Sequence, residues 1–455
     1  MKVQNINPTT NEVFAEIESS TEQEIIQKVT EARLSQPSWQ ELGVKSRIEI
    51  LKEVYEAFES EKEALGDLIT KSVGMPISLR NELDIDSGLH YFKGYLDNAE
   101  KYLSPEISFE DDTTINTVYY EPTGVAAAIT PWNFPFCNFI WAVIPNLVVG
   151  NTVVFKHAEE CASFGQLLEQ IIFKTNLPKG VFTEIYGDGA IGDILVHQDI
   201  DLICFTGSSK VGKYLYTVAA EKFIKIILEL GGSAPGIVFE DADISKINEG
   251  VFFNRFINSG QICDGLKRLI VHKNIKEKVV NNLAEMLKSK KVGNPEDPAV
   301  EIGPLVSIKQ LNTLKSQVDD AITKDAEVVI SIDSPKTGAF YNPTILTNIT
   351  KDMKVWTEEV FGPVLPIITF ETEEEAINLA NDTVYGLGGY VFTEDKQKAE
   401  RVASKIKTGM VSINNTLYLQ PTSPFGGYKQ SGLGREHGKY GLHDLCQIKV
   451  VSIEK

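Results

Sequence analysis

The sequence predicts an α/β chain with two parallel-sheet lobes and a small separate β element. Three observations predict it. Between residues 124 and 229, short runs rich in Val, Ile, Phe and Ala alternate with helical stretches. From Asp241 a second series of the same kind begins. Two further strand-like runs, 115–120 and 447–453, stand outside both series. β-rich runs separated by helices make βαβ units and hence parallel sheets. Such sheets bind ligands at the carboxyl ends of their strands.

In chain order, the first hundred residues read as mainly helical. Ser20 followed by Gln23 fits a capping box, so a helix is expected to start there. Residues 47–65 carry apolar positions at helical spacing. Strands are expected at 124–130, 152–156, 181–186, 201–205 and 224–229. Helices are expected between them, at 134–149, 163–175 and from the 205 turn to about Ala220. In the second series Ile244, Ile247 and Val251 mark a helix, 268–271 a strand, and 279–287 and 307–322 further helices. The runs 115–120 and 447–453 read as exposed strands able to extend a sheet between subunits.

Bulk properties narrow the function. The chain of 455 residues is long enough for about three domains and needs neither disulfides nor metals for its core. Its net charge of −19 disfavours nucleic acid and anionic membranes as partners. The five cysteines, Cys137, Cys161, Cys204, Cys263 and Cys446, form no C-x-x-C pair and fit a reducing cytoplasm. Without H-E-x-x-H either, no metal site is expected. The apolar stretch 134–149 is shorter than the ~20 residues of a membrane span and is interrupted by Pro135, Asn138, Pro145 and Asn146. It reads as a buried helix, and the amino terminus lacks the apolar region of a signal peptide.

Four short motifs carry chemistry. Cys263, in Asn258-Ser-Gly-Gln-Ile-Cys263, sits at a helix-to-strand junction where a thiol can be activated; alone it would read as an inert core cysteine. Glu229, in Leu228-Glu-Leu-Gly-Gly232, ends an apolar strand, either pointing into the crevice above the sheet or lying at the surface beside a turn. Asn133, in Thr130-Pro-Trp-Asn-Phe-Pro135, is an amide that could face an oxyanion or simply cap a helix. Gly207 and Gly212, in Phe205-Thr-Gly-Ser-Ser-Lys-Val-Gly212, allow a phosphate to approach a helix amino terminus.

Together these motifs, in this order and with 34 residues from Glu229 to Cys263, resemble the aldehyde dehydrogenase superfamily. The resemblance extends through Leu177-Pro-Lys-Gly-Val181, Glu358-Glu-Val-Phe-Gly-Pro363, Asn381-Asp-Thr-Val-Tyr-Gly386 and Pro424-Phe-Gly-Gly-Tyr-Lys-Gln-Ser-Gly432. It implies a Rossmann-like cofactor domain at 1–105 and 123–232, a catalytic domain at 233–432, and an oligomerisation element at 106–122 and 433–455. It implies Cys263 as nucleophile, Asn133 and the Cys263 N–H as oxyanion donors, and Glu229 as the base that hydrolyses the thioester. Superfamily members that transfer the acyl group to coenzyme A lack that acid, so a free carboxylate is the expected product. Lys156 and Glu159 match the family's ribose-binding pair, with His157 in place of the usual proline. Gly207 and Ser208 match the pyrophosphate turn, Glu359 and Phe361 the nicotinamide-ribose contacts, and Trp132 joins them. A carboxylate near the 2′-hydroxyl favours NAD over NADP. A homodimer or homotetramer is implied.

For the substrate, the sequence looks most similar to the short succinate-semialdehyde dehydrogenase branch. That branch's carboxylate-binding arginines are absent, since Trp141 and Ile257 stand at those positions. Phe134, Trp141, Ile257, Ile262, Leu419 and Phe425 instead suggest an apolar tunnel for an apolar, aromatic or uncharged aldehyde. Asp264, directly after the nucleophile, is unusual. Facing the tunnel, it would disfavour anions and favour cationic aminoaldehydes; the other possibility is that it points into solvent. The alternatives are a succinate-semialdehyde dehydrogenase with a different clamp, and a catalytically silent binding or structural protein on the same fold.

Overall fold

The computed structural model describes residues 2–455. Two large sheets carry the architecture. The first has six strands in the order Gly432–Leu433, Lys225–Glu229, Leu202–Thr206, Val125–Ile129, Thr152–Lys156 and Phe182–Glu184. All neighbours are parallel except Gly432–Leu433, which pairs antiparallel with the end of Lys225–Glu229. Chain order runs outward in one direction from Val125–Ile129 and then returns to its other side. The crevice above Val125–Ile129 and Leu202–Thr206 is therefore the switch point at which a ligand is expected.

The second sheet has seven strands, in the order Glu327–Ser331, Thr344–Thr347, Val364–Phe370, Leu266–His272, Ala234–Val238, Tyr390–Phe392 and Ser412–Ile413. It is parallel apart from the edge strand Glu327–Ser331. Both inner strands Ala234–Val238 and Leu266–His272 are near-continuously buried, as a sheet covered on both faces requires. Lys267 and Arg268 interrupt the apolar run of the second, and both are fully buried.

The apolar stretch forms the helix Pro135–Val149, in which every residue but Trp141 is buried. Pro135 starts it, where a missing N–H costs nothing, and Gly150 ends it at φ 105. Its first N–H groups are satisfied from outside: the buried Asp84 carboxylate accepts from Cys137 N at 2.7 Å and Phe136 N at 3.2 Å. Burial pushes the Asp84 pKa up to about 6, against those hydrogen bonds. The helix Asp86–Tyr102 packs on this one, and Gly88 permits it, because a Cβ there would lie 2.5 Å from the Phe136 ring.

Two expectations are corrected. The first helix, Glu22–Glu41, is capped by Thr21 with Glu24 as the reciprocal residue, one position beyond Ser20 and Gln23. Before it the chain opens with an antiparallel hairpin, Lys2–Asn7 and Glu12–Glu18, and the first hundred residues are otherwise mainly helical, as expected. Residues 115–120 are not an exposed edge. They lie in Thr114–Pro122, the half-buried middle strand of a three-stranded sheet between Glu106–Glu110 and Cys446–Glu454. The carboxy-terminal run is an edge as expected, and Ile448, Val450 and Ile453 on it are exposed. No helix among the described residues is long and apolar enough to cross a membrane.

Candidate active site

The nucleophile candidate sits at the end of an unusual turn. Asn258, Ser259 and Gly260 all have positive φ, at 47°, 53° and 72°. For non-glycine residues that conformation costs about 1–2 kcal/mol each, so the surroundings must hold it. They do so with buried hydrogen bonds. Asn258 Nδ2 donates to the Asn133 carbonyl at 2.7 Å and Ser259 Oγ to the Gly303 carbonyl at 2.8 Å. Gln261 accepts from Val306 N at 2.9 Å and donates to the Asn258 carbonyl at 3.1 Å. Gly260 lies so close to Gly362 that a Cβ would fall 2.4 Å from its carbonyl oxygen. Three residues later comes Cys263, and three after that the chain enters Leu266–His272, so that Cys263 stands at the junction. Of the five free cysteines it alone is partly exposed.

Asn133 lies opposite. It is buried, and its amide is not a helix cap: Nδ2 donates to the Gln261 carbonyl at 3.0 Å, and Oδ1 accepts from Asn138 at 3.3 Å. Those bonds fix the amide plane and leave one N–H for a ligand.

Glu229 ends its strand at the same level. Its carbonyl accepts from Gly207 N at 2.9 Å, which joins the two motifs directly. The side chain is buried, not at the surface, and neither carboxylate oxygen has a hydrogen-bond partner. Gly426 makes room for it, since a Cβ there would come 2.8 Å from Oε1. Burial, then the charge of Glu436, pushes the Glu229 pKa well above the usual carboxylate range. Burial, then the Asp264 charge, likewise raises the Cys263 thiol, while Lys267 opposes the rise.

These three groups line one cavity of about 730 Å³. It also takes in Trp132, Gly207, Ser208, Glu359 and Phe361, and all seven expected tunnel residues: Phe134, Trp141, Ile257, Ile262, Asp264, Leu419 and Phe425. Trp132 and Phe361 meet edge to face at 5.6 Å. Ser208 caps the helix Ser209–Lys222, accepting from Val211 N at 3.4 Å. Lys156 and Glu159 are not part of the lining. Lys156 is buried at the end of its strand, its Nζ donating to the His157 carbonyl at 3.0 Å, and Glu159 is exposed beyond it. His157 is buried against Glu184, with Nδ1 2.6 Å from Oε1.

The structure adds residues that the motifs did not reveal. Lys267 Nζ donates to the Gly232 carbonyl at 2.8 Å, to the Cys263 carbonyl at 2.9 Å, and to the Glu359 carboxylate. Tyr418 donates to Asp264 Oδ2 at 2.5 Å. Asp264 therefore faces the cavity and not the solvent. Glu436 lines the cavity, and its pKa is pushed up to about 7 by burial. The one signal for Lys267 was its place, with Arg268, in an apolar strand; nothing local marked Tyr418 or Glu436.

The aldehyde dehydrogenase family model matches residues 1–451. Aminoaldehyde dehydrogenase 1, peroxisomal, of Pisum sativum is 35% identical over 99% of this chain and 92% of its own length. The structure of betaine aldehyde dehydrogenase from Staphylococcus aureus, in complex with NAD+, superposes with a TM-score of 0.94 at 33% identity, covering 99% of this chain and 91% of that one. An NAD+ complex of an aldehyde dehydrogenase from Bacillus cereus gives 0.96 at 32% identity, over 100% of this chain and 93% of that one. With a model match over nearly its whole length and relatives above 30% identity across it, the chain belongs to the aldehyde dehydrogenase family.

Proposed function

We propose that this chain oxidises an aldehyde to the free carboxylic acid with a nicotinamide dinucleotide, Cys263 acting as nucleophile, Asn133 as oxyanion donor and Glu229 as base. The observation that carries the reading is the convergence of those three side chains with Gly207, Ser208, Glu359 and Phe361 on one cavity.

The chemistry follows from their placement. The Cys263 sulfur adds to the aldehyde carbon as the thiolate, its proton passing to water, and the oxygen that gains charge lies against the Asn133 N–H. A bound nicotinamide would supply the acceptor for the hydride of this carbon. Water attacks the acyl carbon, Glu229 takes the water proton, and the carbon–sulfur bond breaks to release the acid and return the Cys263 thiolate. A carboxylate with a raised pKa is the stronger base for that step. Burial leaves both Glu229 oxygens without partners, so a water in the cavity would be the group they orient.

The residues present fit the cofactor. Gly207 and Ser208 at the amino terminus of the 14-residue helix Ser209–Lys222 suit a pyrophosphate. Glu359 suits the nicotinamide ribose. Gly231 leaves space beside it, since a Cβ there would fall 2.1 Å from Glu359 Oε2. Trp132 and Phe361 supply an aromatic wall. Lys156 and Glu159, at the end of Thr152–Lys156, suit the second ribose, and the Glu159 carboxylate favours NAD over NADP. Residues 1–105 and 123–232 then form the cofactor domain and 233–432 the catalytic domain. Residues 106–122 and 433–455 form the oligomerisation element, the exposed apolar edge of Cys446–Glu454 pairing subunits into a homodimer or homotetramer. Five free cysteines suit a reducing cytoplasm.

The substrate is an aldehyde without a negative charge. Six carboxylate side chains line the cavity (Glu82, Glu229, Glu249, Asp264, Glu359 and Glu436), and no Lys or Arg among the described residues does. A substrate carboxylate would be buried unpaired there, which argues against succinic semialdehyde. Retention of the nucleophile, base and oxyanion donor in one cavity argues against a silent protein.

The test is NAD(P)H formation followed by absorbance, with propanal, hexanal, benzaldehyde, 3-aminopropanal and succinic semialdehyde, NAD and NADP in parallel, and Cys263→Ala as control. NADH formation that Cys263→Ala abolishes, weakest with succinic semialdehyde, is expected. Fastest turnover of succinic semialdehyde overturns the substrate reading. No turnover of any aldehyde overturns the enzymatic one.

A further inference from the structure

Asp264 follows the nucleophile directly, and its side chain is held inside the cavity. It is only 6% exposed. The Tyr418 hydroxyl donates to Oδ2 at 2.5 Å, and the Tyr390 hydroxyl, 3.2 Å from that of Tyr418, donates to the Asp264 carbonyl at 3.1 Å. The carboxylate is thus fixed in orientation. Its other oxygen, Oδ1, faces Cys263 Sγ at 3.9 Å and has only that weak thiol donor. A buried carboxylate oxygen gains from a stronger donor.

With Oδ1 3.9 Å from Sγ, an aldehyde carbon bonded to Sγ has its next one or two carbons within reach of Oδ1. A second polar atom in the cavity is also short of a partner. Tyr91 is 3% exposed and lines the same space, its hydroxyl has no hydrogen-bond partner, and the charges of Asp264 and Glu436 bear on it. The acidic lining described above lacks any lysine or arginine to compete for Oδ1.

We propose that Asp264 selects aldehydes carrying a hydrogen-bond donor, a hydroxyl or a protonated amine, on carbon 2 or carbon 3, with Oδ1 accepting from that donor while Cys263 holds the carbonyl carbon. The proposal rests on the reading of Cys263 as nucleophile. It is a statement about position as well as charge: an ammonium at the end of a long chain passes beyond Oδ1 and gains little from it.

Isosteric pairs test it. Lactaldehyde is compared with 2-methylpropanal, and 3-aminopropanal with butanal, as ratios of kcat/KM in the wild type and in Asp264→Asn. Within a pair the thiol chemistry is shared and cancels. The wild type is expected to prefer the donor-bearing member by about tenfold to a hundredfold, the range of one hydrogen bond to a charged group. Asp264→Asn is expected to bring the ratios toward one, the amine pair falling further than the hydroxyl pair. A preference confined to 3-aminopropanal identifies the amine as the donor that matters, and one shared by lactaldehyde identifies the hydrogen bond itself; either supports the proposal. A further comparison needs no variant: 6-aminohexanal against heptanal is expected to show a smaller preference than 3-aminopropanal against butanal. Wild-type ratios near one, ratios untouched by Asp264→Asn, or equal preferences at both chain lengths overturn the role of Asp264 while butanal turnover leaves the nucleophile reading standing. Failure of every aldehyde, butanal included, overturns both.

Discussion

The ammonium of Lys267 donates to the backbone carbonyl of Cys263 at 2.9 Å while also meeting the carboxylate of Glu359. One fully buried cation thus ties the backbone of the proposed nucleophile to the acid expected to hold the cofactor. It reaches the Gly232 carbonyl, three residues after the proposed base Glu229, as well. Among the causes that act on the Cys263 thiol, Lys267 is the first that favours the thiolate.

Lys267→Met therefore leaves two carbonyls without their donor and the Glu359 carboxylate with only the Gly232 N–H, at 3.1 Å. Breaking a buried pair from one side costs about 3 kcal/mol, with the partial exposure of Glu359 keeping the figure near that lower end. Urea denaturation is expected to show that loss. Isothermal titration is expected to show weaker NAD binding, since Glu359 loses one of its two anchors and keeps the Gly232 N–H. Unchanged stability with unchanged NAD affinity would sink this role.

Under the proposed mechanism Glu229→Gln separates the two halves of the reaction: addition to sulfur and oxidation would not need the base, whereas hydrolysis of the acyl-sulfur bond would. Rapid mixing is expected to give a burst of NADH close to one per site, followed by slow turnover, and mass spectrometry to find the acylated chain. In the wild type the burial that raises the Glu229 pKa keeps it protonated at low pH. The hydrolytic rate is expected to rise as pH increases through that raised value, and the variant to lose this rise. A variant without a burst refutes the assignment.

Much of this site was legible in the sequence, because its parts sit where strands end. Strand ends are marked by apolar runs meeting Gly, Pro or Asn, and Glu229, Asn133 and Gly207 each stand at such a mark. Thr152–Lys156 coincides with its expected bounds for the same reason. What stayed hidden depends on contacts distant in sequence. Tyr418 reaches Asp264 across 154 residues, and Lys267 reaches Glu359 across 92. The Thr21 cap displaced the expected Ser20 because Glu24, not Gln23, supplies the returning side chain, donating nothing and accepting from Thr21 N at 2.7 Å. Ser20 instead accepts from Tyr186 N at 3.1 Å, a tertiary bond that no local pattern announces. The middle strand Thr114–Pro122 looked exposed because its half-burial comes from two partners, one of them at the far end of the chain.

Gly260→Ala tests the turn that presents the nucleophile. The position has φ 72°, and an added Cβ would approach the Gly362 carbonyl to 2.4 Å. Left-handed backbone alone costs an alanine about 1–2 kcal/mol, and the contact with a fixed carbonyl adds to it. A loss of about 2 kcal/mol or more in denaturant unfolding is expected. Reactivity of Cys263 toward iodoacetamide is expected to fall as well, because the turn must shift to admit the methyl group. Wild-type stability together with wild-type alkylation would show that the turn is not held as tightly as its contacts suggest.

Glu436 gives the fold a pH dependence of predictable sign. Its pKa stands at about 7 in the folded chain against 4.5 ordinarily, because burial disfavours the charge. The folded state therefore holds a proton that the unfolded state has released. The associated stability is complete below pH 4.5 and is lost as pH rises through 7, by about 3 kcal/mol. Glu436→Gln cannot release that proton. Urea midpoints measured from pH 4.5 to 8.5 are expected to fall more steeply in the wild type than in Glu436→Gln, the two curves diverging between about pH 5 and 8. The same substitution removes the charge that helps raise Glu229, so the rise of the hydrolytic rate is expected to move to lower pH. Parallel stability curves would show that Glu436 is solvated well enough to ionise freely, and an unmoved rate profile would show that its charge does not reach the base.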